Sequence, residues 1–110
     1  MTRKTKIRAL VHFIRGDKAF KAGRAAKALR NYRASYELRR KTILLYKMAL
    51  CHRKLGRYRD AIASFRRFRK LRGRSISTRR RRLIRRALRQ LDAKLARLTL
   101  KVLPSRARIK

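Results

Sequence analysis

The sequence predicts an all-α fold made of two antiparallel helix hairpins, a C-terminal capping helix and a short strand-like tail. Two observations lead to this prediction. Apolar residues recur at three- and four-residue steps along most of the 110-residue chain, which is the period of amphipathic helices. The pattern of residues 42–74 also has a copy at residues 9–41, so the chain contains an internal repeat.

The first hairpin is predicted to follow a basic tail at residues 1–5. An apolar stripe at helical spacing marks its first helix, and the second helix is predicted at about residues 24–39. The stripe of the first helix consists of Ile7, Leu10, Val11, Ile14 and Phe20, and the second helix is predicted to bury Ala28, Leu29, Tyr32 and Leu38.

The second hairpin is predicted to turn at residues 55–58. Gly56 lies where a helix C-terminus favours a left-handed residue, and Asp60 lies in the first turn of the following helix, near the positive end of its dipole. The apolar faces consist of Leu45, Met48, Ala49 and His52 in the first helix and of Ala61, Ile62, Phe65, Phe68 and Leu71 in the second.

The two hairpins match residue by residue at a separation of 33 positions. The matching pairs are Gly23 with Gly56, Ala28 with Ala61, Leu29 with Ile62, Tyr32 with Phe65, and Leu38 with Leu71. The second hairpin resembles the tetratricopeptide repeat, whose second helix opens after G-x-Y and carries A-I-x-x-F. The residues that carry this resemblance are Gly56, Tyr58, Ala61, Ile62 and Phe65.

The resemblance implies two repeats within residues 6–74, at about 9–41 and 42–74. It implies a scaffold whose inner helices line a concave groove, and a close approach of the two helices of a hairpin at Gly16. A scaffold of this kind serves many partners, so the resemblance says little about function. Alignment places six residues on or near the groove: Phe13, Asp17, Lys21, Tyr46, Arg53 and Lys54.

Residues 75–99 are predicted to form a helix that covers the last hydrophobic face of the array. Ser75 or Ser77 is suited to cap its N-terminus. Four arginines at 79–82 crowd that same end, where the helix dipole disfavours cations and favours anions. Its apolar stripe consists of Leu83, Ile84, Ala87, Leu88, Leu91, Leu95 and Leu98.

Residues 100–110 are predicted to form a basic tail that is either strand-like or disordered. Leu98, Leu100 and Val102 alternate with polar residues up to Pro104, which is the period of a strand. This stretch resembles the opening strand of a PEGA domain, a small β-rich domain that often follows tetratricopeptide repeats in bacterial proteins. The alternative is a helix end followed by a disordered tail.

The most extreme property of the sequence is its charge. It has 38 Lys and Arg residues against four acidic residues, a formal net charge of +34, whereas small soluble domains carry a magnitude of about 2 to 8. Self-repulsion on this scale destabilises an isolated compact state, so counter-ions or an anionic partner are expected to belong to the working molecule.

The composition of the basic residues favours a polyanion as that partner. Arginine supplies 26 of the 38 cations, and its planar fork matches phosphate groups with two hydrogen bonds. No helix-turn-helix, zinc-finger or RNA-recognition signature is visible, so many phosphate contacts and little base readout are expected. The predicted binding surface consists of Arg66, Arg67, Arg69, Lys70, Arg72, Arg79, Arg80, Arg81, Arg82, Arg85, Arg86 and Arg89.

Other functional classes find little support in the sequence. The four carboxylates are scattered and no catalytic motif is visible, so a non-enzyme without a cofactor or a metal site is expected. The single cysteine, Cys51, excludes an internal disulfide and suggests a reducing compartment. No signal peptide or membrane-spanning stretch is apparent, so a cytoplasmic location is predicted.

Three functional hypotheses remain open. The first is a helical repeat that binds polyanions without sequence specificity, with nucleic acid favoured over lipid or acidic protein. The second is an interaction scaffold whose groove takes an acidic peptide or protein. The third is an artificially supercharged repeat protein, in which Arg and Lys replace exposed acidic residues and nucleic-acid binding is a by-product.

Overall fold

The computed structural model describes the backbone of residues 1–108 and the side chains of residues 1–100. Over this range the all-α prediction is confirmed, because the structure contains five α-helices, one short 3-10 turn and no strand. The helices are α1 (Arg3–Lys21), α2 (Ala25–Leu38), α3 (Ile43–Lys54), α4 (Tyr58–Arg72) and α5 (Thr78–Arg108), and the 3-10 turn is Gly73–Ser75. None of the described helices has the length and hydropathy that crossing a bilayer requires.

The helices form a row of hairpins. α1 packs against α2 and α3 packs against α4, while the pairs α2 with α3 and α4 with α5 join the hairpins into an elongated molecule of 63 × 30 × 24 Å. Packing between sequence neighbours is the pattern of helical repeat proteins. The chain is therefore a hairpin-packed helical domain consistent with a repeat fold.

The two hairpin turns have the same geometry. Gly23 and Gly56 have φ values of 79° and 75°, a region that glycine adopts without strain. The next residue, Arg24 or Arg57, donates its amide to the carbonyl five positions earlier at 2.9 Å. This is the Schellman arrangement that ends helices, and its recurrence 33 positions apart supports the internal repeat.

One continuous apolar core runs through the molecule. Its largest fully buried side chains include Tyr32, Phe65 and Phe68. The buried residues of α5, at 84, 87, 88 and 91, lie on one side of that helix. α5 packs on α4 as α3 packs on α2, in the position that the first helix of a third hairpin would take.

The apolar stripe predicted for α1 is not its buried face. Ile7, Leu10, Val11 and Ile14 are 37% to 56% exposed. The buried residues of α1 are instead the small ones, Ala9, Gly16 and Ala19. Periodicity predicts that a helix has an apolar face but does not predict which face another helix covers. In the structure α2 packs against the side of α1 that carries the small residues, where the two backbones come close.

Three other leucines that were predicted to be buried are exposed. Leu71, near the end of α4, is 54% exposed, and Leu83 and Leu98 of α5 are each 47% exposed. α5 packs mainly on α4, so only a narrow stripe along it is covered. Leu38 is half-buried.

The strand predicted for the tail is wrong over the described residues. α5 begins beyond Ser77, whose Oγ accepts the amide of Arg80 at 3.2 Å, and continues to Arg108. An isolated strand has no partner for its backbone N–H and C=O groups, whereas a helix pairs them internally. The last two residues of the predicted tail lie outside the described residues.

The contact between Gly16 and Tyr32 gives a stability test. A methyl group added at Gly16 would lie 2.5 Å from Cε1 of Tyr32, so Gly16→Ala should lower the free energy of unfolding by about 1–3 kcal/mol. At an open helix position the same change is stabilising by about 1 kcal/mol. The measurement is urea denaturation followed by circular dichroism.

The control for this test is the same change in a Tyr32→Leu background. Because the smaller side chain leaves room, Gly16→Ala should there be neutral or stabilising. An alanine variant at least as stable as the wild type in the original background would contradict the close packing.

Candidate polyanion-binding surface

All twelve cations of the predicted polyanion surface are exposed. They lie on α4 and on the first half of α5. Among the described side chains one ion pair occurs, between Lys47 and Asp17, so no carboxylate neutralises any of the twelve. The twelve are Arg66, Arg67, Arg69, Lys70, Arg72, Arg79, Arg80, Arg81, Arg82, Arg85, Arg86 and Arg89.

The packing of α4 decides where its cations point. Its buried apolar residues, between Ala61 and Phe68, hold one side of the helix against the core. Arg66, Arg67 and Lys70 lie on the opposite side of the helix, which the helical period directs to solvent. Arg69 and Arg72 follow the line of the buried residues but lie at or beyond the end of the buried stretch, and they are exposed. Cations therefore surround the C-terminal part of α4.

The N-terminal half of α5 presents a second group of cations. Arg79, Arg82 and Arg86 line an open depression with Thr78 and Leu83. These residues follow one another at three- and four-residue steps, so they share one side of the helix. Their like charges repel each other next to the positive end of the helix dipole, a combination that an anion would relieve.

Two of the α5 arginines also have partners within the chain. The Nη2 atom of Arg81 lies 3.3 Å from the carbonyl oxygen of Ile76 and 3.5 Å from that of Gly73, so it helps to hold the connection between α4 and α5. The guanidinium of Arg80 lies over the ring of Tyr46, 5.0 Å from its centroid. Arg80 therefore links the predicted polyanion surface to the predicted groove.

The predicted groove residues are distributed along α1 and α3. Phe13 and Asp17 of α1 lie close to Lys47 of α3, whereas Arg53 lines a separate depression with residues of α5. Lys54 lies over the ring of Phe20, 5.4 Å from its centroid.

Asp17 lies in a hydrogen-bonded network that joins α1, α2 and α3. Its Oδ1 atom accepts the hydroxyl of Tyr32 at 2.5 Å and the Nζ of Lys47 at 2.9 Å. Burial alone would raise the pKa of this carboxyl, but the two hydrogen bonds and the nearby charges of Lys47 and Lys21 lower it below its ordinary value. The only acid in the predicted groove is thus neutralised by the chain itself.

Lys47 is a functional candidate that the sequence analysis missed. Its ammonium group lies 5.2 Å from the ring centroid of Phe13 and 5.8 Å from that of Tyr32. A signal was present, because Lys47 is the only charged residue in the apolar run of residues 42–52. A lone charge in such a run needs a partner, which here is Asp17.

Three cation-over-ring contacts share one spacing along the chain. Lys47 over Phe13, Lys54 over Phe20 and Arg80 over Tyr46 each join residues 34 positions apart. The contacts link α1 to α3 and α3 to α5, so these alternate helices lie side by side on one face. That face is lined by half-buried aromatic rings with cations over them.

The remaining candidates are structural. Cys51 is fully buried, and burial raises the pKa of its thiol to about 11, which makes it unreactive. His52 is buried with its Nδ1 atom unpartnered, and burial lowers the pKa of its imidazole. Among the described side chains, no group of three His, Cys, Asp or Glu residues is placed to hold a metal ion.

The Asp17 network gives a prediction for pH dependence. A carboxyl with a lowered pKa stabilises the folded state above its ordinary pKa of 3.8, and this stabilisation is lost as the pH falls through the folded value. Asp17→Asn should therefore be less stable than the wild type by about 1 kcal/mol at neutral pH, since the pair is partly exposed. The difference should shrink below pH 3.8.

The measurement is urea denaturation from neutral to acidic pH at constant ionic strength. Asp92→Asn is the control, because Asp92 is exposed and forms no ion pair among the described side chains. A difference between wild type and Asp17→Asn that stays constant down to the lowest pH would count against the charged network.

Comparison with known proteins assigns no family. No family model matches the chain, and no curated protein or solved structure matches it.

Proposed function

We propose that this protein is a non-enzymatic helical repeat of the tetratricopeptide type that binds polyanions, above all nucleic acid, without sequence specificity. The observation that carries the proposal is the group of twelve exposed cations on α4 and α5, none of which is paired with a carboxylate among the described side chains. Ordinary solvated helix faces mix both signs of charge.

The proposed binding mechanism is the neutralisation of phosphates. Each phosphate that a Lys or Arg neutralises releases a condensed counter-ion, so affinity arises from charge and falls steeply with salt. Guanidinium groups pair with two phosphate oxygens at once. No motif that recognises bases accompanies them. The contacts therefore bind the nucleic-acid backbone, and the base sequence is not recognised.

The assignment to the tetratricopeptide type is supported by the repeat geometry. The two glycine turns have the same hydrogen bonds at a separation of 33 positions. The close contact of Gly16 with the ring of Tyr32 occurs where the family has a small residue. Cys51, a buried free thiol, is consistent with a reducing compartment, and we infer a cytoplasmic location.

A second candidate function is the binding of an acidic peptide on the face lined by α1, α3 and α5. One observation favours it: Asp17 is already paired with Lys47, and cations lie over the aromatic rings of this face, Lys47 over Phe13 and Arg80 over Tyr46. An extended acidic segment could pair with those cations. This candidate predicts dependence on Tyr46 and independence from Arg79, Arg82 and Arg86.

The test of polyanion binding is a fluorescence-anisotropy titration of a short single-stranded RNA and a short DNA duplex at increasing salt. Log affinity should fall linearly with log salt for both. Replacing Arg79, Arg82, Arg85 and Arg86 by Gln should reduce the slope by about 3 to 4, because each lost phosphate contact contributes about 0.7 to 0.9. This set leaves Arg80 and Arg81 with their intramolecular partners.

The matched control removes four charges from α1. The variant replaces Arg3, Lys4, Lys6 and Arg8 by Gln and has the same net charge as the α5 variant. Its slope should stay close to that of the wild type. Equal effects of the two variants would show that the contacts are not localised on α4 and α5. Nucleic-acid binding that persists unchanged at high salt and is lost in Tyr46→Leu would contradict the proposed surface, because the binding site would then lie on the face lined by α1, α3 and α5.

A further inference from the structure

We propose that the outer face of α1 binds the surface of an anionic lipid bilayer. The outer face is defined here by Ile7, Leu10, Val11 and Ile14, which are 52%, 54%, 37% and 56% exposed. Steps of three, one and three residues place these four side chains on one side of the helix. The small residues that contact the rest of the protein, such as Gly16, are buried on the other side.

Four large aliphatic side chains in one exposed stripe require an explanation. Single exposed apolar residues are normal on soluble proteins, but a contiguous patch marks a surface that another molecule covers. Ile7 and Leu10 also line a cavity of about 230 Å³, whereas Val11 and Ile14 do not. The stripe as a whole therefore does not lie in one groove of the kind that a docked helix needs, whereas a bilayer surface accepts an exposed helix face.

Cations border the outer face on both sides and at both ends. α1 contains one acidic residue, Asp17, and its carboxylate is already bound by Lys47. An aliphatic stripe with Lys and Arg flanks is the composition of helices that lie in the membrane interface. The bordering cations, all exposed, are Arg3, Lys4, Lys6, Arg8, Arg15 and Lys18.

The internal repeat argues against another helix as the occupant. Leu44, Met48 and Cys51 of α3 are buried, and α3 packs against the preceding helix, α2. The residues 33 positions earlier in α1 are Val11, Arg15 and Lys18. A helix packed on α1 in the same manner would bury two cations, which is unfavourable without a partner for each.

A second copy of the chain is disfavoured by charge, since each copy carries +34. A bilayer avoids both difficulties. Long cationic side chains such as Arg15 and Lys18 extend towards lipid phosphates while their stems cover apolar surface, and the four aliphatic residues enter the boundary between headgroups and acyl chains. A helix bound in this way lies in the plane of one leaflet.

The test is co-sedimentation of the full chain with vesicles, either of phosphatidylcholine alone or of phosphatidylcholine mixed with phosphatidylglycerol. Any strongly cationic protein adsorbs to the mixed vesicles, so the decisive comparison is between two leucines of equal exposure. Leu10 and Leu71 are both 54% exposed, but Leu71 lies outside the stripe. Leu10→Ser should weaken binding to mixed vesicles about fivefold, whereas Leu71→Ser should leave it unchanged.

Further outcomes decide the proposal. Equal affinities of the two variants would overturn it, because the binding would then result from charge alone. A lack of binding to mixed vesicles would also overturn it. Self-association in sedimentation velocity that Leu10→Ser abolishes would show a dimer interface instead. A glutamate-rich amphipathic peptide that displaces the vesicles in a Leu10-dependent manner would show a protein-docking site. Unchanged nucleic-acid affinity of Leu10→Ser, with normal circular dichroism, supports a separate lipid face.

Discussion

The structure depends on one continuous apolar core that must hold together a molecule with 34 excess positive charges. Every Lys and Arg side chain among residues 1–100 lies outside this core, and the buried His52 is held neutral by a pKa lowered through burial. Dissolved ions screen the repulsion between exposed charges, but they do not screen the hydrophobic effect. The balance between the two therefore shifts towards the folded state whenever anions gather at the surface.

The cations are arranged in distinct environments. Those of α4 and the first half of α5 are exposed without carboxylate partners among the described side chains. Lys47 and Lys54 lie over aromatic rings between alternate helices, and so does Arg80, which also belongs to the first group. Each of the three is stabilised there by the ring quadrupole. The chain thus uses some of its cations to connect helices and presents the rest to solvent.

Much of the fold follows from local sequence signals. Gly23 and Gly56 mark the hairpin turns because only a left-handed residue closes them in this way, and their separation shows the repeat. Ala28 and Tyr32 in α2, and Ala61 and Phe65 in α4, are buried as their spacing predicts. These residues pack within one hairpin or against the next one. Their burial can therefore be predicted from local patterns in the sequence.

The features that could not be predicted from the sequence are contacts between residues that are distant along the chain. The stripe of Ile7, Leu10 and Ile14 is periodic, yet the period does not reveal that α2 packs on the opposite side. The Asp17 and Lys47 pair spans 30 positions and depends on the rotation of two helices. The alternation at Leu98 and Leu100 resembles a strand, but without a partner strand the backbone of this stretch is helical.

Packing between sequence neighbours has a consequence for how the molecule folds. Because most contacts join neighbouring helices, contact order is low, which favours rapid folding. α2, α3 and α4 each have two neighbours, while α1 and α5 each pack mainly on one, so unfolding should start at the two ends as it does in a one-dimensional array. The two proposed binding faces include these terminal helices. A ligand there would stabilise the elements with the fewest internal contacts, so that binding would suppress fraying of the whole array from its ends.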